Sequence, residues 1–314
     1  MTNHRVGYNP EYGRIKSDAG VTIDRAFLAH FKVAAADAVA ASTTGVLAFT
    51  NLGAAAQEIT AGITNPVVPR NIVIDGNVSG ITGVVTINGL NYADEVISED
   101  LTANGVSTVP GAKAFKAVTS VELPIQNHTP AAQTETIEVT HGCSTGGDLP
   151  VVVTATTLLG EDSPVTVTVP VTTAMDTVTE VAAAVVAGLN ADAAVGAVFT
   201  ATNAEGVITL AAKTPLANDA TLAIAFTVGS TGVTVGSSTN GTAGVPYDKI
   251  SVGWGDIFGL PYLLEADEQV ILKLFNKAAD TGTVANSATA LESNTFDPNG
   301  SPDGLKDIDL YIVV

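Results

Sequence analysis

The chain has 314 residues, of which 46% are hydrophobic, 14% charged and 5% aromatic, and its formal net charge is −19. This length allows two or three domains with cores of their own. Because phosphate binding needs clustered lysine and arginine, the charge argues against a protein that wraps nucleic acid, and we expect no nucleic-acid partner.

The apolar content does not indicate a membrane partner. The most apolar run near the start, residues 33–49, is interrupted by Asp37 and by a Ser-Thr-Thr-Gly cluster, so it is not expected to span a bilayer. The first residues also lack the apolar core of a signal peptide. High hydrophobicity with few charges instead predicts apolar surface buried between subunits, which indicates a homo-oligomer.

Residues 1–24 are predicted to form an N-terminal arm, because Gly7, Gly13 and Gly20 interrupt any periodic pattern. Residues 1–32 hold five of the thirteen basic residues against three acids, so this segment carries +2 and the other 282 residues carry −21. A weakly basic segment on an acidic body predicts docking on a neighbour, with a solvated flexible tail as an equal alternative. The side chains expected to make that contact are Arg5, Tyr8, Tyr12, Arg14 and Lys16.

The pattern of residues 24–42 leaves two structures open. Asp24 could cap a helix that carries Phe27 and Phe31 on one face, or the alanine-rich segment could be extended. From residue 63 onward the pattern favours strands, among them 71–74 and 84–87. Asn88-Gly89 predicts a tight hairpin after the second of these. Residues 114–123 are predicted to form one further strand, which completes a β-meander or sandwich rhythm.

The middle of the chain differs in composition. Residues 117–212 contain no lysine or arginine, and runs such as 165–169 alternate valine with threonine, which is typical of a strand with one packed face. Two segments, 135–142 and 248–255, share one pattern of acid, polar, Ile, polar, Val and a final Gly. We therefore predict an inserted domain at 129–245 within a discontinuous core domain of 25–128 and 246–314. The alternative is that the shared pattern is a coincidence between two similar strands.

The inserted domain is predicted to contain one helix. Thr177 and Glu180 form a capping box, and an apolar stripe runs from Val178 to Leu189 at helical spacing. Strands are predicted on both sides of it. The fold class expected for the chain is mainly β, with an antiparallel β-sandwich-like core domain and a small inserted α+β domain.

No set of residues forms a catalytic constellation, so the sequence predicts no enzyme, no cofactor and no metal site. With one cysteine, Cys143, neither an intrachain disulfide nor a thiolate metal site is expected. His141 lies two residues from Cys143, but a nucleophile pair also needs an orienting third group, and a plain pair at a loop end explains the spacing better.

Two further segments have an alternative functional interpretation. Residues 297–304 offer spaced oxygen ligands for calcium, but they lack the third acidic ligand and the distal glutamate of a helix-loop-helix site. A turn between strands is the better interpretation. Trp254, which lies between glycines, could stack on a sugar, although packing at a strand end is the more common role.

Three segments carry a family resemblance: ITNPVVPRNI at 63–72, GAKAFKAVTS at 111–120 and VGWGDIFGLPY at 252–262. With them the chain resembles tailed-bacteriophage virion structural proteins, in particular the auxiliary head proteins that decorate or cement the capsid. The resemblance covers residues 60–128 and 246–314, and the insert is similar to small β-rich modules of phage head and tail proteins. It implies a virion component assembled in the host cytoplasm, with the major capsid protein as its partner.

Decoration of local three-fold positions on an icosahedral shell would favour a homotrimer.

Two other functions remain open at this point. A tail-tube protein is also rich in strands, and an acidic lumen lets DNA slide. A carbohydrate-binding adhesion module would need several exposed aromatic side chains, which an aromatic content of 5% disfavours.

Overall fold

The computed structural model describes residues 28–314 in full and, before them, only the backbone of residues 6–9, 14–17 and 22–24. As predicted, the chain is mainly β, with 46% strand, 10% helix, several antiparallel sheets and one substantial helix. It divides into two compact units. Unit 1 comprises residues 1–125 and 249–314, and unit 2 comprises residues 126–248. No helix in the described part of the chain is long and apolar enough to cross a membrane.

The strands of unit 1 that precede unit 2 are β1 (Val6–Asn9), β2 (Arg14–Ser17), β3 (Thr22–Asp24), β4 (Leu28–Val33), β5 (Ser42–Asn51), β6 (Gln57–Ile59), β7 (Arg70–Gly76), β8 (Val84–Leu90), β9 (Val96–Thr102), β10 (Val109–Phe115) and β11 (Ala117–Leu123). Unit 2 contains β12 (Thr134–His141), β13 (Gly147–Thr154), β14 (Val165–Val171), α1 (Val178–Ala191), α2 (Ala193–Val198), β15 (Phe199–Ala204), β16 (Val207–Ala212), β17 (Ala223–Phe226), β18 (Thr234–Val235) and β19 (Thr239–Asn240). Unit 1 then resumes with β20 (Lys249–Gly259), β21 (Val270–Phe275), β22 (Ala278–Ala279), β23 (Thr283–Ala285), β24 (Thr295–Asp297) and β25 (Ile308–Val313).

Unit 1 is built around two apolar cores. One sheet has the order β10-β7-β20-β24-β23 with β5 also paired to β20, and a second has the order β6-β11-β8-β9. Their facing side chains, such as Ile72 and Ile87, form the first core. A third sheet, β22-β21-β25-β4, contributes Phe31 and Leu310 to the second core.

The long strand β20 runs through both cores of unit 1. Ile250 and Val252 near its start lie in the first core, and Phe258 near its end lies in the second. The arm contributes a further small antiparallel sheet, β1-β2-β3, a regularity that the glycine spacing did not predict.

The hairpin predicted at Asn88-Gly89 is wrong, because both residues lie inside β8. Gly89 is needed there for close packing, since a Cβ atom at this position would lie 2.1 Å from the carbonyl oxygen of Ala117 on β11. The turn comes later, where the side chain of Asn91 accepts hydrogen bonds from the amides of Ala93 and Glu95.

The single strand predicted at 114–123 is also wrong, because the chain changes sheets within it. Residues up to Phe115 belong to β10 and those from Ala117 belong to β11, with exposed Lys116 between them. Residues 28–33 form the strand β4, so the helix through Phe31 does not form. The alanine-rich residues 34–41 form a turn and coil, so the extended alternative does not describe them either.

Unit 2 packs α1 against two sheets, β15-β16-β12-β18 (with β19 paired to β12) and β14-β13-β17. The predicted capping box is present, since the Thr177 hydroxyl accepts from the amide of Glu180 and the Glu180 carboxylate accepts from the amide of Thr177. Val185 and Leu189 from the predicted stripe are fully buried. The short helix α2, capped by Asp192, was not predicted.

Candidate functional site

The candidate contact site begins where the arm leads into β4. The first strand after the arm, β4, pairs antiparallel with β25 along its whole length, from Leu28 opposite Val313 to Val33 opposite Ile308. Alternate residues of β25 face the second core, and Leu310 between them is fully buried. The arm is therefore covalently continuous with a strand that is fixed on one face by the core of unit 1.

The opposite face of this sheet carries exposed apolar side chains together with His30 and Lys32. Leu28 is 60% exposed, Ile271 is 58% exposed and Leu272 is 42% exposed. Leu272 pairs with Tyr311, and a register shift between Val270 and Leu272 places Ile271 beside it. We call this surface the terminal-sheet face and define it by Leu28, Ile271, Leu272, Leu274, Tyr311 and Val313.

Charged groups on the same sheet are paired with one another. The imidazole of His30 lies 2.7 Å from Asp309 Oδ1 and stacks on the ring of Tyr311 at 4.6 Å between centroids. Lys32 Nζ lies 2.9 Å from Asp307 Oδ2 and 3.6 Å from Asp309 Oδ1. The hydrogen bond to Asp307 raises the pKa of Lys32, and the same bond lowers the pKa of Asp307. Lys32 is therefore shared between two carboxylates, and the second of them also contacts His30.

A buried arginine fixes the segment that follows β4, and the sequence analysis did not predict this role. Arg70 donates from Nη1 to the carbonyl of Val39 at 2.7 Å and from Nη2 to Asp256 Oδ1 at 3.0 Å. Its guanidinium lies 4.7 Å from the centroid of the Phe258 ring. Burial lowers the pKa of Arg70 to about 10, although Asp256 acts in the opposite direction. The one feature of the sequence that could have indicated this role is the position of Arg70, a single basic residue at the start of an apolar strand.

Of the five residues predicted to contact a capsid, the structure describes the backbone of three. Arg5 and Tyr12 fall outside the described residues. Tyr8 lies on β1, and Arg14 and Lys16 lie on β2, with a backbone register that sets Tyr8 opposite Ile15. Their role stays a prediction.

The structure gives His141 and Cys143 separate structural contacts. Cys143 is buried, and its thiol donates to the carbonyl of Thr231 at 3.3 Å and accepts from the amide of Gly146 at 3.1 Å. His141 contacts the carbonyl of Gly142 through Nδ1. Both side chains thus contact backbone groups, as expected for residues at the end of a strand.

Trp254 packs within unit 1, so its ring is not an open surface on which a sugar could stack. Its Nε1 donates to the carbonyl of Ala40 at 3.2 Å, and its ring lies against Gly45, where a Cβ atom would come within 2.5 Å of the ring. The indole also packs on the first core. These contacts match the packing role that the sequence favoured over sugar stacking.

Residues 297–304 form the turn that leads from β24 towards β25, and the carboxylate of Asp303 is engaged in local contacts. Asp303 accepts from the amide of Leu305 and pairs with Lys306 at 2.7 Å. Burial raises the pKa of Asp297, and the nearby carboxylates Asp256 and Asp280 raise it further. Among the described residues, no group of three or more His, Cys, Asp or Glu side chains is arranged to hold a metal ion.

An open groove of about 430 Å³ lies elsewhere on unit 1. Its lining residues are Ala93, Glu95, Pro261, Tyr262, Leu263, Thr289 and Leu291. The Glu95 carboxylate accepts a hydrogen bond from the amide group of Asn91, so this charge is engaged within the protein. No family model, no curated protein and no solved structure matches the chain.

Proposed function

We propose that this chain is a non-enzymatic structural component of a tailed-phage virion, which decorates the outside of the capsid and stabilises it. Its partner is the major capsid protein, and it assembles in the host cytoplasm. The observation that carries the proposal is the junction between the arm and β4, which lies within the net-positive residues 1–32 and where β4 is paired along its full length with β25.

This junction suits an attachment device because it couples the arm to a packed core. Phe31 and Val33 of β4 point into the second core, as does Leu310 of β25. A pulling force on the arm therefore acts on β4. This strand is held by its backbone hydrogen bonds to β25 and by its side chains in the second core. A cement protein needs such a coupling, since its arm must hold the body on the shell.

The distribution of charge supports the same function. The first 32 residues carry +2 and the remainder carries −21. A weakly basic first segment of 32 residues can lie on an acidic neighbour, while the acidic remainder stays solvated and repels non-specific contacts. A homotrimer placed on local three-fold positions would present three such arms to the shell.

A tail-tube protein is the second candidate, and the net charge of −19 favours it. A lumen of the same sign as DNA lets the DNA slide without binding. The two functions place the protein in different parts of the particle.

Fractionation of the particles distinguishes these two functions. Tail-less heads and isolated tails would be purified from the phage that encodes the chain, and the copy number of the protein in each fraction would be measured by quantitative mass spectrometry. The major capsid protein serves as the internal standard for heads. Capsid decoration predicts many copies per head and none in tails. Recovery in tails alone would contradict decoration and support the tube.

A further inference from the structure

The strand β14 is an edge strand of unit 2 whose outer side is open. In its sheet, β14-β13-β17, it pairs with β13 alone. Thr227, directly after β17, donates to the carbonyl of Pro150 at 2.9 Å, so the backbone groups of Pro150 point to β17. Pro150 lies opposite Thr168, and opposite residues of an antiparallel pair either bond to each other or both point away. The backbone N–H and C=O of Thr168 therefore point away from β13, and so do those of Thr166.

Two other edge strands of unit 2 are closed by side chains. On β15, the side chain of Asn190 from α1 donates to the carbonyl of Ala201 at 2.9 Å and accepts from its N–H at 2.8 Å. On β17, the hydroxyl of Ser238 accepts from the amide of Ile224 at 2.8 Å. The outer side of β14 receives no such contact from the described residues. Because open edges are templates for a further strand, this one is a candidate docking surface.

The open edge of β14 is regular and held from behind. Its register with β13 is unbroken over all seven residues, and none of them is charged. Val167 and Val169 are buried and lie with Val185 of α1 in the core of unit 2. Pro170 has no N–H, so the last outward position of the strand can only accept a hydrogen bond. The edge can therefore receive a short extended segment through main-chain hydrogen bonds.

The acidic residues around β14 determine which kind of segment fits. Glu161 and Asp162 are exposed just before its start, and Asp148 is exposed on β13 opposite Pro170 near its end. Unit 2 as a whole holds eleven acidic residues against one basic residue, Lys213, which gives a formal charge of −10. A second copy paired antiparallel through β14 would bring the acids at the start of one strand beside those at the end of the other. Such like-charge contacts disfavour a second copy and favour a basic segment.

We infer that the outer edge of β14 binds an extended segment of a partner protein, in which basic side chains flank a short uncharged stretch. The segment adds to the sheet as a further strand and pairs with the outward N–H and C=O groups of Thr166 and Thr168. Its basic side chains face the acids at the two ends of β14. The inference goes beyond the proposed decoration and does not depend on it, since this edge belongs to unit 2 and the arm junction belongs to unit 1.

Binding of a synthetic peptide to the purified full-length protein tests the inference. The probe is the fluorescently labelled peptide Lys-Lys-Thr-Val-Thr-Val-Lys-Lys, and fluorescence anisotropy measures its affinity. The control peptide carries glutamate in place of every lysine. The lysine peptide is expected to bind, with an affinity that falls as salt is added, and the glutamate peptide is expected not to bind.

Thr168→Pro blocks the edge and leaves the pairing of β14 with β13 intact. Proline removes the outward N–H of this residue, which takes no part in the bonds to β13. The affinity for the lysine peptide should fall by at least about tenfold. The matched control is Thr168→Val, which keeps the N–H and should leave the affinity unchanged. Circular dichroism reports whether Thr168→Pro folds, and Thr166→Pro replaces it if it does not.

Hydrogen exchange of single amides locates the bound peptide. The lysine peptide should slow exchange at Thr166 and Thr168 more than at Val167, whose N–H already points to β13. Failure of the lysine peptide to bind the wild-type protein would overturn the inference, as would equal binding of the glutamate peptide or undiminished binding to the folded proline variant. Self-association of the wild-type protein that Thr168→Pro abolishes would assign the edge to a second copy, and would overturn it too.

Discussion

The carboxylate of Asp248 lies 2.7 Å from Nδ1 of His128, a residue 120 positions earlier in the chain. Asp248 is fully buried, and its second oxygen accepts hydrogen bonds from the amides of Asn127 and His128 at 2.6 and 2.8 Å. A short ladder between Ala131 and Val245 continues the contact. The first and last residues of unit 2 therefore meet, so the unit enters and leaves at one place.

Removal of the Asp248 carboxylate should destabilise unit 2. We expect Asp248→Ala to lower the free energy of unfolding by about 2–4 kcal/mol, because two backbone amides lose a buried charged acceptor. Urea unfolding followed by circular dichroism measures the change. The control Asp162→Ala alters an exposed carboxylate in a short turn and should have almost no effect. Equal losses in the two variants would show that the contact at the ends of the unit contributes nothing specific.

Because its ends meet, unit 2 should be removable without unfolding unit 1. A chain in which Asn127 is joined to Tyr247 through a short Gly-Ser linker is expected to retain both cores of unit 1, since none of their residues lies in unit 2. Cooperative thermal unfolding of this shortened chain is the measurement. A molten or insoluble product would contradict the expectation.

Asp219 should make the stability of unit 2 depend on pH. Burial by itself raises the pKa of this carboxyl group. Hydrogen bonds from the hydroxyl and amide of Thr221 and from the amides of Thr157 and Leu158 outweigh burial, so the pKa is lowered. With the folded pKa below the unfolded value, the carboxylate stabilises the fold above the unfolded pKa, and this contribution is lost as pH falls through the folded pKa.

The comparison of wild type with Asp219→Asn isolates this effect from other groups. We expect the wild type to be more stable at neutral pH, since the amide has only one oxygen for the bonds that two carboxylate oxygens accept. The difference in unfolding free energy should shrink as pH falls below the ordinary pKa of an aspartate carboxyl group, because the folded pKa lies lower still. A difference that is constant with pH would assign the loss to packing alone.

The arm should control retention on heads, and salt distinguishes its two modes of contact. If Arg5, Arg14 and Lys16 act as exposed charges, release should increase with salt, because the Debye length falls from about 10 Å at 0.1 M to about 3 Å at 1 M. If buried Tyr8 dominates, salt has little effect and Tyr8→Ala weakens retention. Co-sedimentation with heads measures the bound fraction. Full occupancy by a truncation that starts at Asp24 would show that the arm is not the anchor.

Local features of the fold could be predicted from the sequence. The alternation of residues 165–169 predicted a strand, which lies within β14, and the capping box at Thr177 predicted the start of α1, since each signal lies within one element. The change of sheet at Lys116 depends on neighbouring strands, and so does the inclusion of Gly89 in β8. The Asn88-Gly89 dipeptide therefore predicted a hairpin at a place where the strand continues.

The site was predictable only in part for the same reason. The pairing of β25 with β4 joins residues about 280 positions apart, such as Leu28 and Val313. Arg70 likewise contacts Asp256 across 186 positions. No local pattern encodes such partners, so the terminal-sheet face and the buried ion pair became visible only in three dimensions.

A density map of the tail-less head tests the proposed decoration most directly. The account predicts that unit 1 lies on the outer surface of the shell at local three-fold positions, with residues 1–24 in contact with the major capsid protein. A head whose outer surface carries no density for this chain, with the chain found in the tail tube instead, would contradict it.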